Sequence, residues 1–142
     1  MKQKEDIVLG ALSNFDNQFS CSQSVVLAFA DELGLDKRQA AAVASGFGSG
    51  MGDTNGTCGA LSGAIMALGM KNAGTDPDGK GNKPQIYAKV RELKAEFRAK
   101  MGSDVCGNLI KSTIEKGKPK RENCTLCVKT VTELCFDRIK EE

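Results

Sequence analysis

The chain has 142 residues, of which 40% are hydrophobic and 27% charged, and its formal net charge is +2. This length suits one compact domain, expected over residues 1–142, and the composition is that of a soluble globular protein, which excludes disordered, collagen-like and rod-shaped chains. Six cysteines and no histidine exclude Ser-His and Cys-His nucleophile pairs, histidine-ligated zinc and histidine-ligated haem.

Three short helices are predicted in the first third of the chain. Apolar residues recur at spacings of three and four in the first segment, which predicts an amphipathic helix over residues 3–16. Ser20 followed by Gln23 is a capping-box signature, so a second helix is expected to begin here and to end at Gly34. Asp36 is placed to cap a third, alanine-rich helix that stops at the following glycine-rich segment.

A loop and a helix rich in small residues follow. Residues 46–57 contain too many glycines for a regular element, so this segment is predicted to be a loop. Thr57 is placed to cap a fourth helix that begins at Cys58. Its glycines and alanines would let a neighbouring backbone come close, and its weak helix propensity means that packing must hold it.

The last third of the chain is predicted to contain three helices. Pro84 marks the first position of a long amphipathic helix, Asp104 opens a short one, and Asn123 caps the last one over about 124–140. No run of β-branched residues alternates with a period of two. The predicted fold is therefore an all-α, single-domain helical bundle of about six to seven helices with a glycine-rich loop.

Four cysteines lie at or near predicted helix starts: Cys21, Cys58, Cys106 and Cys124. Backbone N–H groups and the helix dipole stabilise a thiolate there, which suits a nucleophile, a redox centre or a metal ligand. The first three begin alternate helices, so their thiols are expected to meet at one end of the bundle, and the loop before the last helix is expected to bring in the fourth. The alternative is that these cysteines are small buried residues near helix starts.

The two remaining cysteines, Cys127 and Cys135, differ in whether they could belong to the same site. Cys124 and Cys127 form a C-x-x-C at a predicted helix start, the local arrangement of thioredoxin-type dithiols, although no βαβ unit accompanies it. Cys135 lies about 16 Å along the helix axis from Cys124, so one site cannot use both. Cys58 is expected to be the most reactive thiol, because it combines a helix N-terminus with a flexible, glycine-rich and accessible approach.

Several other classes of site and partner are disfavoured. The alternating glycines of the loop give no G-x-G-x-x-G and no P-loop, and Val128 after Cys127 excludes a c-type haem, so neither nucleotide nor haem is expected. Positive charge is concentrated between residues 80 and 121, which could serve an acidic partner or nucleic acid but is read as a solvated helix face; no nucleic-acid partner is expected.

The sequence also gives an expectation for the cellular compartment of the protein. No apolar run reaches the roughly 18 residues of a membrane span, and the first twenty residues are not a signal peptide as they stand. A cytoplasmic protein is therefore expected. In that reducing compartment, cysteines more often serve as metal ligands, redox thiols or buried residues than as permanent disulfides.

The motif around Cys58 carries a resemblance that covers nearly the whole chain. The segment MGDTNGTCGALSGAIMALGM contains CGAxxG, and separated cysteines stand in FSCSQSVV, DVCGNLI and ENCTLCV. In these features the chain closely resembles the small bacterial family C_GCAxxG_C_C, redox-active proteins with a CGAxxG motif. The resemblance implies a redox role for Cys21, Cys58, Cys106 and Cys124, as catalytic thiols or ligands, with Gly59 and Gly63 beside a cofactor or partner backbone. Cys127 competes with Cys124 for the fourth place.

Three mechanisms remain open, and the first is favoured. An iron-sulfur cluster needs four thiolates and no histidine, and would make the protein an electron carrier. A reversible dithiol needs two low-pKa thiols within reach. A structural zinc ion usually takes closely spaced cysteine pairs, and only one is present. A non-redox interaction role is a fourth reading. The expected partner is a redox protein, and the sequence leaves open whether the chain is an enzyme and whether it forms a homodimer.

Overall fold

The computed structural model describes residues 2–74 and 78–140, and these residues form an all-α fold without strands. The helices are α1 (Lys4–Asp16), α2 (Cys21–Leu33), α3 (Lys37–Ala44), α4 (Gly48–Met51), α5 (Gly59–Ala73), α6 (Lys83–Met101), α7 (Cys106–Glu115) and α8 (Lys120–Lys140). Because α4 is a single turn, seven of the described helices have eight residues or more. The predicted fold class is confirmed. None of the described helices has both the length and the hydropathy needed to cross a membrane.

Helix α5 is the central element of the bundle and packs against α2, α6 and α8. Residues 59–64, which form its first turns, are all buried. Two leucines of α5, Leu61 and Leu68, pack in the main core with Phe29 of α2 and Phe97 of α6. Since glycine lowers helix propensity by about 1 kcal/mol per residue relative to alanine, this burial is what holds α5 in place.

The helix starts predicted from side-chain caps are correct for α2 and α3. The Ser20 hydroxyl accepts the Gln23 N–H while the Gln23 side chain accepts the Ser20 N–H, which completes the predicted capping box. The Asp36 carboxylate accepts the Gln39 N–H at 2.9 Å. Gly34 ends α2 in the left-handed conformation, as predicted.

Four other predicted helix starts are wrong. Cys58 itself is the N-cap of α5, while Thr57 forms an isolated antiparallel bridge with Val105. Asp104 precedes the N-cap of α7 and pairs with Arg98 at 3.3 Å. Asn82 caps α6, which places Pro84 at its second position and not its first. Helix α8 begins at Lys120, so Asn123 lies inside the helix and Cys124 lies one turn from its start.

The glycine-rich segment is more ordered than predicted. A 3-10 turn, Ser45–Phe47, is followed by α4, in which Ser49, Gly50 and Met51 all have positive φ. Such a left-handed turn costs roughly 1–2 kcal/mol for each residue other than glycine. Glycine is required at position 50, because a Cβ there would overlap the Cys106 side chain. The backbone of α4 is therefore not that of a right-handed helix, and further turns follow from Gly52.

Candidate functional site

Five of the six cysteines line one cavity of about 390 Å³ at the end of the bundle where α2, α5 and α7 begin. They are Cys21, Cys58, Cys106, Cys124 and Cys127. The structure therefore brings together the four cysteines selected from the sequence and adds Cys127, the competitor for the fourth place. Phe15, Lys120, Arg121 and Asn123 also contribute to the lining.

Backbone pairing fixes the starts of α5 and α7 side by side. The Cys58 N–H donates to the Asp104 carbonyl at 2.7 Å, and the Cys106 N–H donates to the Gly56 carbonyl at 3.0 Å. These two hydrogen bonds flank the Thr57–Val105 bridge. Cys58 and Cys106 are consequently held on the same wall by main-chain contacts between segments about 50 residues apart in the sequence.

The glycines of CGAxxG allow α5 to approach the beginning of α2. A Cβ on Gly63 would lie 2.6 Å from the Ser22 carbonyl oxygen, and one on Gly59 would lie 3.0 Å from the Phe47 carbonyl oxygen. The Gly59 position is also 3.4 Å from the Cys21 Cβ. The backbone that was expected to press on this face is therefore that of α2, and the close approach brings Cys58 beside Cys21.

Cys21 and Cys124 form one thiol pair, and both are half-buried. A hydrogen bond from Cys21 to the Cys124 sulfur is the main reason that the pKa of Cys124 falls to about 6. Burial opposes this shift, whereas Lys120, the Asn123 side chain and Arg121 reinforce it. The same hydrogen bond, followed by burial and the neighbouring sulfurs, raises the pKa of Cys21. Cys124 is consequently the thiolate of this pair.

Arg121 is fixed at the mouth of the cavity by contacts with the end of α1. Its guanidinium donates to the Phe15 carbonyl at 3.3 Å and to the Asp16 carboxylate at 3.2 Å. It also lies 4.4 Å from the centroid of the Phe15 ring, in cation-π geometry. Together with Lys120, it gives the mouth a positive potential that favours a thiolate at Cys124.

Cys58 and Cys127 form a second thiol pair deeper in the protein. The Cys127 thiol is the main reason that the pKa of Cys58 is lowered, and Cys58 is the main reason that the pKa of Cys127 is raised. The N–H groups of Leu61 and Ala60 also favour the Cys58 thiolate, although neither completes a capping hydrogen bond. Cys58 is only 5% exposed and Cys127 only 1%. The expectation that Cys58 has an accessible approach is therefore wrong.

The other two cysteines stand apart from these pairs. Burial, followed by the nearby Cys58 and Cys124 sulfurs, raises the pKa of Cys106. Cys135 lies outside the cavity, in the core, and its thiol donates to the Ala64 carbonyl at 3.5 Å. Burial alone raises the pKa of Cys135. The sequence-based separation of Cys135 from the site agrees with this position.

Asn123 is a site residue that sequence reasoning assigned to the wrong role. Its side-chain oxygen accepts the Cys127 S–H at 3.7 Å, and its side chain also stabilises the Cys124 thiolate. It is buried at the cavity although it was expected to be a helix cap. Lys120 and Arg121 were likewise placed in the loop before the last predicted helix. Pro119, directly before Lys120, is a signal for a helix start that would have placed all three on α8.

The thiols do not fit a metal centre as they are arranged. Across residues 2–74 and 78–140, no three cysteine, aspartate or glutamate side chains converge as a metal ion would require. An iron-sulfur cluster or a structural zinc ion needs four thiolates directed at one centre. Instead, the strongest influence on the pKa of Cys21 is Cys124, and the strongest influence on the pKa of Cys127 is Cys58.

Comparison with known proteins gives one match. A family model described as "Putative redox-active protein (C_GCAxxG_C_C)" matches residues 19–137, a span that includes all six cysteines. No curated protein and no solved structure matches the chain. Since the family model covers most of the 142 residues, the chain belongs to the C_GCAxxG_C_C family, whose members are described as redox-active.

Proposed function

We propose that this protein is a thiol-disulfide redox protein whose reactive pair is Cys21 and Cys124. The observation that carries the proposal is that these two half-buried thiols line one cavity, in which Cys21 is the main influence that lowers the pKa of Cys124. A reversible dithiol needs two sulfurs within reach of each other, one of which is a thiolate that an external disulfide can approach. The shared cavity, the partial exposure of both thiols and the lowered pKa of Cys124 support this role for the pair.

The reaction follows from the roles of the two sulfurs. The Cys124 thiolate attacks one sulfur of an external disulfide, which forms a mixed disulfide and releases the first thiolate of the oxidant. Cys21 then loses its proton and attacks the Cys124 sulfur, which closes the Cys21–Cys124 bond and releases the second thiolate. The protein is oxidised by two electrons, the external disulfide is reduced by two, and reduction follows the reverse path.

The residues at the mouth assist each step. Lys120 and Arg121 stabilise negative charge on Cys124 when it attacks and when it leaves. The contact of Arg121 with Phe15 and Asp16 ties the start of α8 to the end of α1, close to where α2 begins. This contact helps to hold Cys124 on α8 beside Cys21 at the start of α2.

An iron-sulfur cluster is the second candidate, and it is favoured by one observation. Five cysteines line a single cavity, more than the four thiolates that a cluster requires. Cys21, Cys58, Cys106 and Cys124, or Cys127 in the last place, would be its ligands. Their side chains would have to turn away from their present thiol partners.

Anaerobic purification followed by elemental analysis and a thiol count separates the two candidates. The dithiol predicts a protein without stoichiometric iron, acid-labile sulfide or zinc, in which glutathione disulfide first removes the two thiols of Cys21 and Cys124. Cys135→Ser should behave like the wild type, because Cys135 lies outside the cavity, whereas Cys124→Ser should retain its thiols over the same time. Stoichiometric iron and sulfide would instead establish the second candidate.

A further inference from the structure

We propose that Cys58 and Cys127 form a second, internal dithiol that receives its disulfide from Cys21–Cys124 by exchange inside the cavity, so that one chain stores two disulfides. This inference rests on the proposed function, because the internal pair is loaded through the outer one. Four of the five cavity cysteines would thus act as two coupled pairs, with Cys106 as the remaining thiol.

Burial divides the two pairs into an outer and an inner one. Cys21 and Cys124 are half-buried, whereas Cys58 and Cys127 are 5% and 1% exposed. An oxidant as large as glutathione disulfide must align its sulfur-sulfur bond with the attacking thiolate. The half-buried Cys124 offers such an approach, whereas Cys58 and Cys127 have almost no exposed surface.

The two pairs are close enough to exchange. Cys124 and Cys127 are three residues apart on α8, so they lie on the same face of the helix. Cys58 directly precedes Gly59, whose Cβ position is 3.4 Å from the Cys21 Cβ. Buried Asn123 contacts both α8 cysteines. The inner and outer cysteines therefore line the same cavity, with Cys124 and Cys127 on one face of α8.

The exchange conserves atoms and electrons. With Cys21–Cys124 oxidised, the Cys58 thiolate attacks the Cys124 sulfur, which forms a Cys58–Cys124 bond and releases the Cys21 thiolate. Cys127 then loses its proton and attacks Cys58, which forms the Cys58–Cys127 bond and releases the Cys124 thiolate. The inner pair loses two electrons and the outer pair gains them, so that a second external disulfide can reoxidise Cys21 and Cys124.

The inference is tested by the time course of disulfide formation in the full-length protein. Reduced protein is mixed with excess glutathione disulfide, quenched with an alkylating agent and analysed by peptide mapping. The Cys21–Cys124 link should appear first and the Cys58–Cys127 link after a lag. If the inner link forms without a lag, if it never forms while the outer link does, or if the second link joins Cys124 to Cys127, the inference is wrong and the proposed function stands. If Cys21–Cys124 fails to form at all, the proposed function itself fails.

Variants test the same order of events. Cys124→Ser removes the exchange path and should slow formation of the Cys58–Cys127 link at least tenfold, whereas Cys135→Ser, the matched control outside the cavity, should show both links at wild-type rates. Cys127→Ser should accumulate the Cys58–Cys124 intermediate, because the second attack is lost. An inner link that forms as quickly in Cys124→Ser as in the wild type would overturn the inference. The lag in the wild type gives a result even if a variant is unstable.

Discussion

Replacing Gly63 with alanine tests whether the CGAxxG motif sets the distance between α5 and α2. The added methyl group would lie 2.6 Å from the Ser22 carbonyl oxygen and 3.2 Å from both the Ser22 Cα and the Val25 Cβ. Favourable carbon-oxygen contacts in proteins are about 3.3–3.6 Å. Two of these three neighbours are backbone atoms of α2, so the helices must separate by several tenths of an ångström to remove the clash.

The size of the effect follows from two opposing contributions. Alanine in place of glycine inside a helix stabilises by up to about 1 kcal/mol. Forcing an extra methyl group into a packed interface costs about 1–3 kcal/mol, and the backbone contact places Gly63 towards the upper end. We expect Gly63→Ala to lower the free energy of unfolding by about 1–2 kcal/mol and the melting temperature by roughly 4–8 °C.

Gly69→Ala is the matched control, because it lies in the same helix and its Cβ would meet nothing within 4 Å. Only the propensity contribution remains there, so this variant should be more stable than the wild type by up to about 1 kcal/mol. Thermal unfolding followed by circular dichroism measures both. If Gly63→Ala melts as high as Gly69→Ala, α2 does not press on this face and the reasoning is wrong.

Three further predictions concern single side chains. The rate of alkylation of Cys124 should rise through pH 6 and level off by about pH 8, because the hydrogen bond from Cys21 and the nearby cations stabilise its thiolate; a midpoint near the ordinary thiol value of about 8.5 would contradict this. Asn123→Ala should move that midpoint to higher pH, since it removes one of the groups that stabilise the thiolate, and an unchanged midpoint would show that Asn123 only packs. Thr132 is fully buried, and its hydroxyl finds no hydrogen-bond partner among the described residues. Thr132→Val should therefore stabilise the protein by about 1 kcal/mol in chemical unfolding, and a loss of stability would indicate that the hydroxyl is satisfied.

Local signals in the sequence were sufficient for much of the fold. The starts of α2 and α3 were predicted correctly because their signals are local. The capping and helix-ending residues bond to or terminate the helix within one or two turns; they are Ser20, Gln23, Gly34 and Asp36. The start of α5 was missed by one residue because Thr57 is engaged by Val105, which is 48 residues away in the chain. A long-range backbone bridge of this kind leaves no mark in the residues nearby.

Part of the site could also be predicted, because it depends on the order of the helices along the chain. Alternation of the helices was enough to expect Cys21, Cys58 and Cys106 at one end of the bundle, where they line one cavity. The partners of each thiol depend on where α8 begins and how it is rotated about its axis. The first turn of α8, Lys120 to Asn123, is polar, so no apolar periodicity indicates its start or its rotation. The pairing of Cys21 with Cys124 and of Cys58 with Cys127 consequently required the structure.

A redox titration of the wild-type protein tests the central claim most directly. The protein is equilibrated without oxygen over a series of ratios of reduced to oxidised glutathione, alkylated, and analysed by intact mass and peptide mapping. We predict that each transition removes two thiols and follows a two-electron Nernst curve, and that the oxidised protein contains the Cys21–Cys124 link. A protein that keeps all of its thiols across the series, or one whose oxidised form never contains the Cys21–Cys124 link, would contradict the account.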